Sequence, residues 1–216
     1  VQWRRSNRAR HVGLRIDPCA GSVIVTLPRR TARQEGVALL ATHAAWIAER
    51  LAALPPAVRF AEGAFITFGG RRIRIRSIDK SPGVTNILGQ ELVVFCQKQD
   101  LPLHVAKFLQ AEAQARFEAL VAMKAARMGV RPRRVLLKDM RSRWGSCTAD
   151  RTLTFSWRLV MAPRFVQDYV IGHEVAHLRH MNHGNQFHAL ERELTRFAEP
   201  ARVWLRRYGA GLLRVG

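Results

Sequence analysis

Apolar and polar positions along the chain fall into two periods, and the first third is dominated by a period of two. Val12, Leu14 and Ile16 alternate with polar residues, and after a turn over Pro18–Ser22 the alternation resumes at Val23, Val25 and Leu27. That pattern predicts a hairpin with one buried face. Beyond Thr31 the apolar positions are Val37, Leu40, Ala44, Ile47, Ala48 and Leu51, which is helical spacing, and Pro55-Pro56 ends the helix. A second hairpin is predicted from Phe65–Phe68, the Gly69-Gly70 dipeptide and Arg71–Arg76, whose return strand alternates arginine with isoleucine. Leu92–Phe95 is a further short strand.

The C-terminal part reads differently. Val105, Leu109, Ala113, Phe117, Leu120 and Val121 line one side of a helix predicted over 103–128, with Gly129 as its C-terminal cap. Strands are predicted over 133–147 and 153–160, joined by a turn at 148–151. Pro163 opens a helix that runs to about Met181, and Phe187, Leu190, Leu194 and Phe197 mark another. The expected architecture is α+β: a β-rich N-terminal half over 1–100 and a helix-strand-helix half over 101–216. A boundary near 97–102 would separate them within one compact unit.

Two imidazoles four residues apart, His173 and His177, share a face of the helix that Pro163 begins, so both can approach one ion. Glu174, turned about 100° from His173, misses that ion but reaches a water beside it, where a general base belongs. A catalytic zinc usually takes a third protein ligand. His183 lies six residues past His177, next to Asn182 and Gly184, which break the helix and turn the chain back. It is the preferred third ligand; Glu191 or Glu193 from the next helix is the competing choice. His180 has the wrong angle for a ligand and reads as a bystander or as a group that supports a ligand from behind.

Around these residues stands an ordered set: Ser142-Arg143-Trp144-Gly145-Ser146-Cys147, Trp157-Arg158-Leu159, Asp168-Tyr169-Val170, His173-Glu174-x-x-His177-Leu178 and Asn182-His183, followed by Phe187. With Arg4–Asp17 and Trp46-Ile47 it extends over nearly the whole chain. In this set the chain resembles the YgjP-like metal-dependent hydrolases, relatives of the SprT-like and WLM zinc peptidases. It departs from their pattern at Gly184, where serine is usual, and at His188, where tryptophan is usual. The resemblance implies a zincin-type fold in the C-terminal half, with a substrate strand pairing along a sheet edge beside the active-site helix.

The expected activity is therefore that of a peptidase with one zinc per chain, held by His173, His177 and His183, with Glu174 as base toward a peptide or protein substrate. Tyr169 and Arg143 are supporting candidates. Tyr169 is either a donor to the tetrahedral intermediate or a core aromatic, and Arg143 is either an oxyanion stabiliser or structural. Cys147 reads as a small buried residue in preference to a thiol nucleophile, and Asp168 as a residue that orients a histidine or caps locally. No organic cofactor-binding motif is present.

Charge adds a second class. Lys and Arg number 36 against 16 Asp and Glu, a net charge of +20. Such a field attracts polyanions, so nucleic acid is a candidate partner, and the Arg72, Arg74, Arg76 stripe is its most concentrated feature. The alternative function is a nucleic-acid-binding protein with a structural zinc, or a protease recruited to nucleic acid. Three scattered cysteines argue against a disulfide scaffold and for a reducing compartment. With no apolar run near ~18 residues and no apolar segment after the basic N-terminus, a cytoplasmic protein without a membrane anchor is expected.

Overall fold

A computed structural model describes residues 1–79 and 84–216. The described residues are mixed α and β, with six α-helices and three small sheets. They fall into two compact units, Val1–Pro56 and Ala57–Gly216. The division is thus at Pro56 and not near residue 100. The strands of 65–95 share one hydrophobic core with the C-terminal helices: Ile73, Ile75, Leu92 and Val94 bury in the same cluster as Val105, Leu109 and Phe117. Among the described residues, no helix is long and apolar enough to cross a membrane.

In the first unit, β1 (Gln2–Ser6), β2 (Gly13–Asp17) and β3 (Ser22–Pro28) form a sheet in the order β1-β3-β2. The β2–β3 hairpin pairs Leu14 with Val25 and Ile16 with Val23. β1 runs parallel to β3. The predicted single helix is two, α1 (Arg33–Thr42) and α2 (Ala44–Ala52), separated at His43. There the Thr42 hydroxyl bonds back to the Ala38 carbonyl at 3.0 Å, a pattern that bends helices. Val23, Val25 and Leu27 are the core of this unit.

In the second unit, β4 (Phe65–Phe68), β5 (Arg71–Ile78), β6 (Thr85–Leu88) and β7 (Glu91–Phe95) make a sheet ordered β4-β5-β7-β6. Gly69 and Gly70 turn β4 into β5 with φ of 59° and 82°, both in the left-handed region that favours glycine. The long helix α3 (Leu101–Arg127) buries the apolar side named above and ends at Gly129 with φ 64°.

A three-stranded sheet follows: β8 (Arg134–Lys138), β9 (Gly145–Cys147) and β10 (Thr152–Ser156), ordered β8-β10-β9. The strand predicted over 133–147 is therefore two strands on opposite sides of β10. The one predicted to Val160 stops at Ser156, where Trp157–Met161 forms a 3₁₀ turn. Arg158 anchors that turn, with Nε donating to the Val215 carbonyl at 3.1 Å and its guanidinium paired to Asp139. α4 (Arg164–Ala176), α5 (Asn185–Leu194) and α6 (Ala198–Leu212) complete the unit. α4 ends at Ala176, short of the predicted Met181, and Phe197 belongs to the start of α6.

Candidate metal centre

α4 is buried along most of its length, which fixes the direction of its last two turns. His173 and His177 project from one face there, their rings 5.0 Å apart. After His177 the chain leaves the helix through bonds from the Leu178 and Arg179 amides to Val175 and Ala176 carbonyls. It then turns at Asn182, whose carbonyl accepts from the Gly184 amide at 2.9 Å. This return brings His183 Nε2 to 3.2 Å from His173 Nε2. One ring nitrogen from each of His173, His177 and His183 lies within 4.8 Å of the others, and this is the one such metal-competent cluster among the described residues. Phe187, fully buried, packs against all three rings at 4.5–5.0 Å and forms an apolar floor.

The outward nitrogens are set by what the opposite ring positions touch. His173 Nδ1 meets Glu191 Oε1 at 2.7 Å, and His177 Nδ1 meets the His180 carbonyl at 2.9 Å. Both partners are acceptors, so each Nδ1 carries the hydrogen and each Nε2 keeps its lone pair for the centre of the cluster. Burial, above all, pushes both imidazoles below their ordinary pKa, so they are neutral at neutral pH, as metal ligands must be. Nitrogens ~2.0–2.1 Å from a tetrahedral zinc lie ~3.3 Å apart. The 3.2 Å between His183 and His173 matches that spacing, and the donor set fits such an ion.

Glu191, the rival third ligand, is buried behind His173. Beyond His173 it takes Arg202 Nη2 at 3.1 Å, and Arg202 Nε in turn donates to the Tyr169 hydroxyl at 2.9 Å. Glu191 thus orients a histidine and does not join the cluster, and Glu193 is exposed on α5. His180 contributes its carbonyl and not its ring. The Tyr169 side chain is buried and committed to Arg202. Arg202 is not among the residues singled out from the sequence; it comes from α6, which is not among the predicted helices either. Asp168 faces elsewhere, holding Lys124 Nζ and the Thr195 hydroxyl at 2.6 Å each.

Glu174 points away from the histidines' shared face toward β9 and is 7% exposed. Burial raises its carboxyl to about 7, against the Arg143 charge and a hydrogen bond from the Cys147 backbone, which pull it down. Arg143 itself is exposed. The Cys147 thiol is pushed up to about 11, first by burial and then by the Glu174 charge. That keeps it a thiol at neutral pH and argues against a cysteine nucleophile. Trp144 packs against Gly209 of α6, where an added β-carbon would sit 3.3 Å from the indole.

Compared with known families, residues 10–208 match the model of the YgjP-like metallopeptidase domain. No curated protein and no solved structure matches the chain.

Proposed function

The chain belongs to the YgjP-like metallopeptidase family, and from that premise we propose that it is a single-zinc peptidase with His173, His177 and His183 as ligands and Glu174 as general base. The observation that carries this reading is the convergence of three imidazole nitrogens within 4.8 Å, beside a buried carboxylate one residue from the first of them. Zinc, when bound, acidifies water toward a pKa of ~7 and polarises a carbonyl oxygen. Glu174 takes the proton of the attacking water on a carboxylate oxygen, then delivers it to the departing amide nitrogen. Its carboxyl near 7 suits both steps at neutral pH. Glu191 and Arg202 hold His173 in orientation, and Phe187 keeps water from the inner side of the ligands.

The substrate is an extended peptide. Among the described residues β9 is an edge strand, pairing with β10 on one side only, and it lies beside Glu174. A substrate strand adding to that edge would bring its scissile carbonyl next to the base. Three histidines would hold the metal without a fourth protein ligand to close its shell, which favours a catalytic site over a closed structural one.

Elemental analysis together with a casein-hydrolysis assay tests the proposal. One zinc per chain in the wild type, lost or weakened in His183→Ala along with hydrolysis, is the expected result. Full metal retention and full activity in that variant would sink it.

A further inference from the structure

The first turn of α4, nine residues before His173 and so about 13 Å away along the axis, carries a second concentration of function-like groups. The Gly69-Gly70 turn docks on the 3₁₀ segment, with its amides donating to the Val160 and Met161 carbonyls at 2.9 and 3.1 Å. That docking sets Arg71 and Arg72 beside Arg164 at the start of α4 and Arg116 on α3, and the four arginines line a cavity of about 160 Å³. Among the described residues, no carboxylate lies within ion-pair distance of any of them. Arg116 Nη1 is buried and has no hydrogen-bond partner there. Burial and the Arg164 charge both press on the Arg116 guanidinium, with only Glu112 opposing them. Arg72 lies over the Phe65 ring at 3.8 Å and Arg116 over the Phe68 ring at 4.9 Å, contacts that do not neutralise charge; a bound anion would offset the repulsion between Arg116 and Arg164.

Arg116 and Arg164 also line a second cavity of about 490 Å³ on their other side. Its walls include Phe165, Phe197 and Leu120. Asp168 is there too, but its carboxylate is already held by Lys124 and Thr195. Gln167, fully buried on the same wall, has a side-chain oxygen with no partner. The two cavities differ in what they can hold. At ~30 Å³ per water the smaller has room for about five waters, enough for one phosphate group and too little for a nucleoside. The larger is of small-molecule size, with two aromatic side chains in its lining.

We propose that this cleft is a nucleotide-binding site, with a phosphate among Arg71, Arg72, Arg116 and Arg164 and the nucleoside against Phe165 and Phe197. Guanidinium groups match phosphate oxygens in geometry, and aromatic faces take bases without regard to sequence. The nucleotide comes either free or as one unit of a single strand, and the +20 charge of the chain draws both toward the site.

Fluorescence anisotropy with a labelled twelve-residue thymidine oligonucleotide, competed by thymidine monophosphate and by inorganic phosphate, tests this on the full chain. Arg164→Ala and Arg72→Ala, both at exposed positions, are each expected to weaken binding about tenfold and to reduce the salt slope by ~0.7. Arg30→Ala, the same charge change in the first unit, should leave binding within about twofold, as a rim charge does. Phe197→Leu should weaken the monophosphate and not inorganic phosphate, with folding checked by thermal melting. A strand that binds more tightly than the monophosphate supports a single-strand site, and equal affinity supports a free nucleotide. Losses in Arg164→Ala and Arg72→Ala no larger than in Arg30→Ala, or no binding of any probe at low salt, would overturn the proposal.

Discussion

A β-carbon placed on Gly145 would lie 2.6 Å from Glu174 Cγ and 2.8 Å from Oε1, so the proposed base rests directly on the backbone of the edge strand. Gly145 sits at ordinary backbone angles for a strand, so the need for glycine there is spatial. Gly145→Ala is expected to push the Glu174 carboxylate aside while the three histidines remain in place. Displacing a reacting group by an ångström costs about 10²-fold in rate, and overpacking costs ~1–3 kcal/mol in stability. Hydrolysis should therefore fall about a hundredfold at unchanged zinc content. An alanine variant with wild-type kcat would mean that Glu174 is not held against β9 during catalysis.

Glu174→Gln separates metal from chemistry. The amide keeps the shape of the carboxylate and cannot accept the proton, so zinc content should be unchanged and hydrolysis reduced by at least ~10²-fold. Full activity in this variant would remove Glu174 from the mechanism.

How much of this could be read in the chain itself depends on which residues had to meet. His173 and His177 are four apart on one helix, and the Asn182-His183-Gly184 break returns His183 by local geometry alone, so that cluster follows from spacing. The Gly69-Gly70 turn and the buried side of α3 are local in the same sense. Glu191 stands as a rival ligand in the sequence because it comes from the next helix; only tertiary packing shows it behind His173, restrained by Arg202 of α6, a helix not among those predicted. The domain division moved to Pro56 for a related reason. The arginine-isoleucine alternation of β5 reveals a buried face, but not that the face packs into the core that contains α3.

The Glu191 contact makes its own prediction. Glu191→Gln removes the charge that holds the Nδ1 hydrogen of His173 and leaves Arg202 without its carboxylate. Loss of such an orienting partner lowers metal affinity by about 10–100-fold. Competition with a chromophoric chelator should show that drop, and Arg202→Lys should show a smaller one because it keeps the charge. Unchanged affinity in Glu191→Gln would indicate that His173 is oriented by packing against Phe187 alone.

Cys147 gives a direct contrast with thiol chemistry. At a pKa of about 11 its thiolate is scarce at pH 8, so alkylation by iodoacetamide should be slow there and speed up roughly tenfold per pH unit up to pH 10. Cys147→Ala should keep hydrolysis within a fewfold, while a chelator abolishes it. Rapid alkylation at pH 7 with loss of activity would restore Cys147 as a nucleophile.

The burial that tunes Glu174 also has a cost to the fold, visible in the metal-free protein. Its carboxyl is raised from the ordinary 4.5 to about 7 in the folded state. Between those values the folded protein holds a proton that the unfolded chain has released, so stability falls as pH rises through that window and stays lower above it. The full loss is about 3 kcal/mol at 1.36 kcal/mol per pKa unit. Glutamine has no proton to lose, so metal-free Glu174→Gln should gain on the wild type between pH 4 and pH 8, by as much as about 3 kcal/mol. Urea unfolding of both proteins at the two pH values, with chelator present, measures that difference, and every other titrating group cancels in the comparison. A gain at pH 8 no larger than at pH 4 would mean that the carboxylate is solvated in solution. A gain that appears and then disappears on adding zinc would show the same buried charge stabilised by the ion.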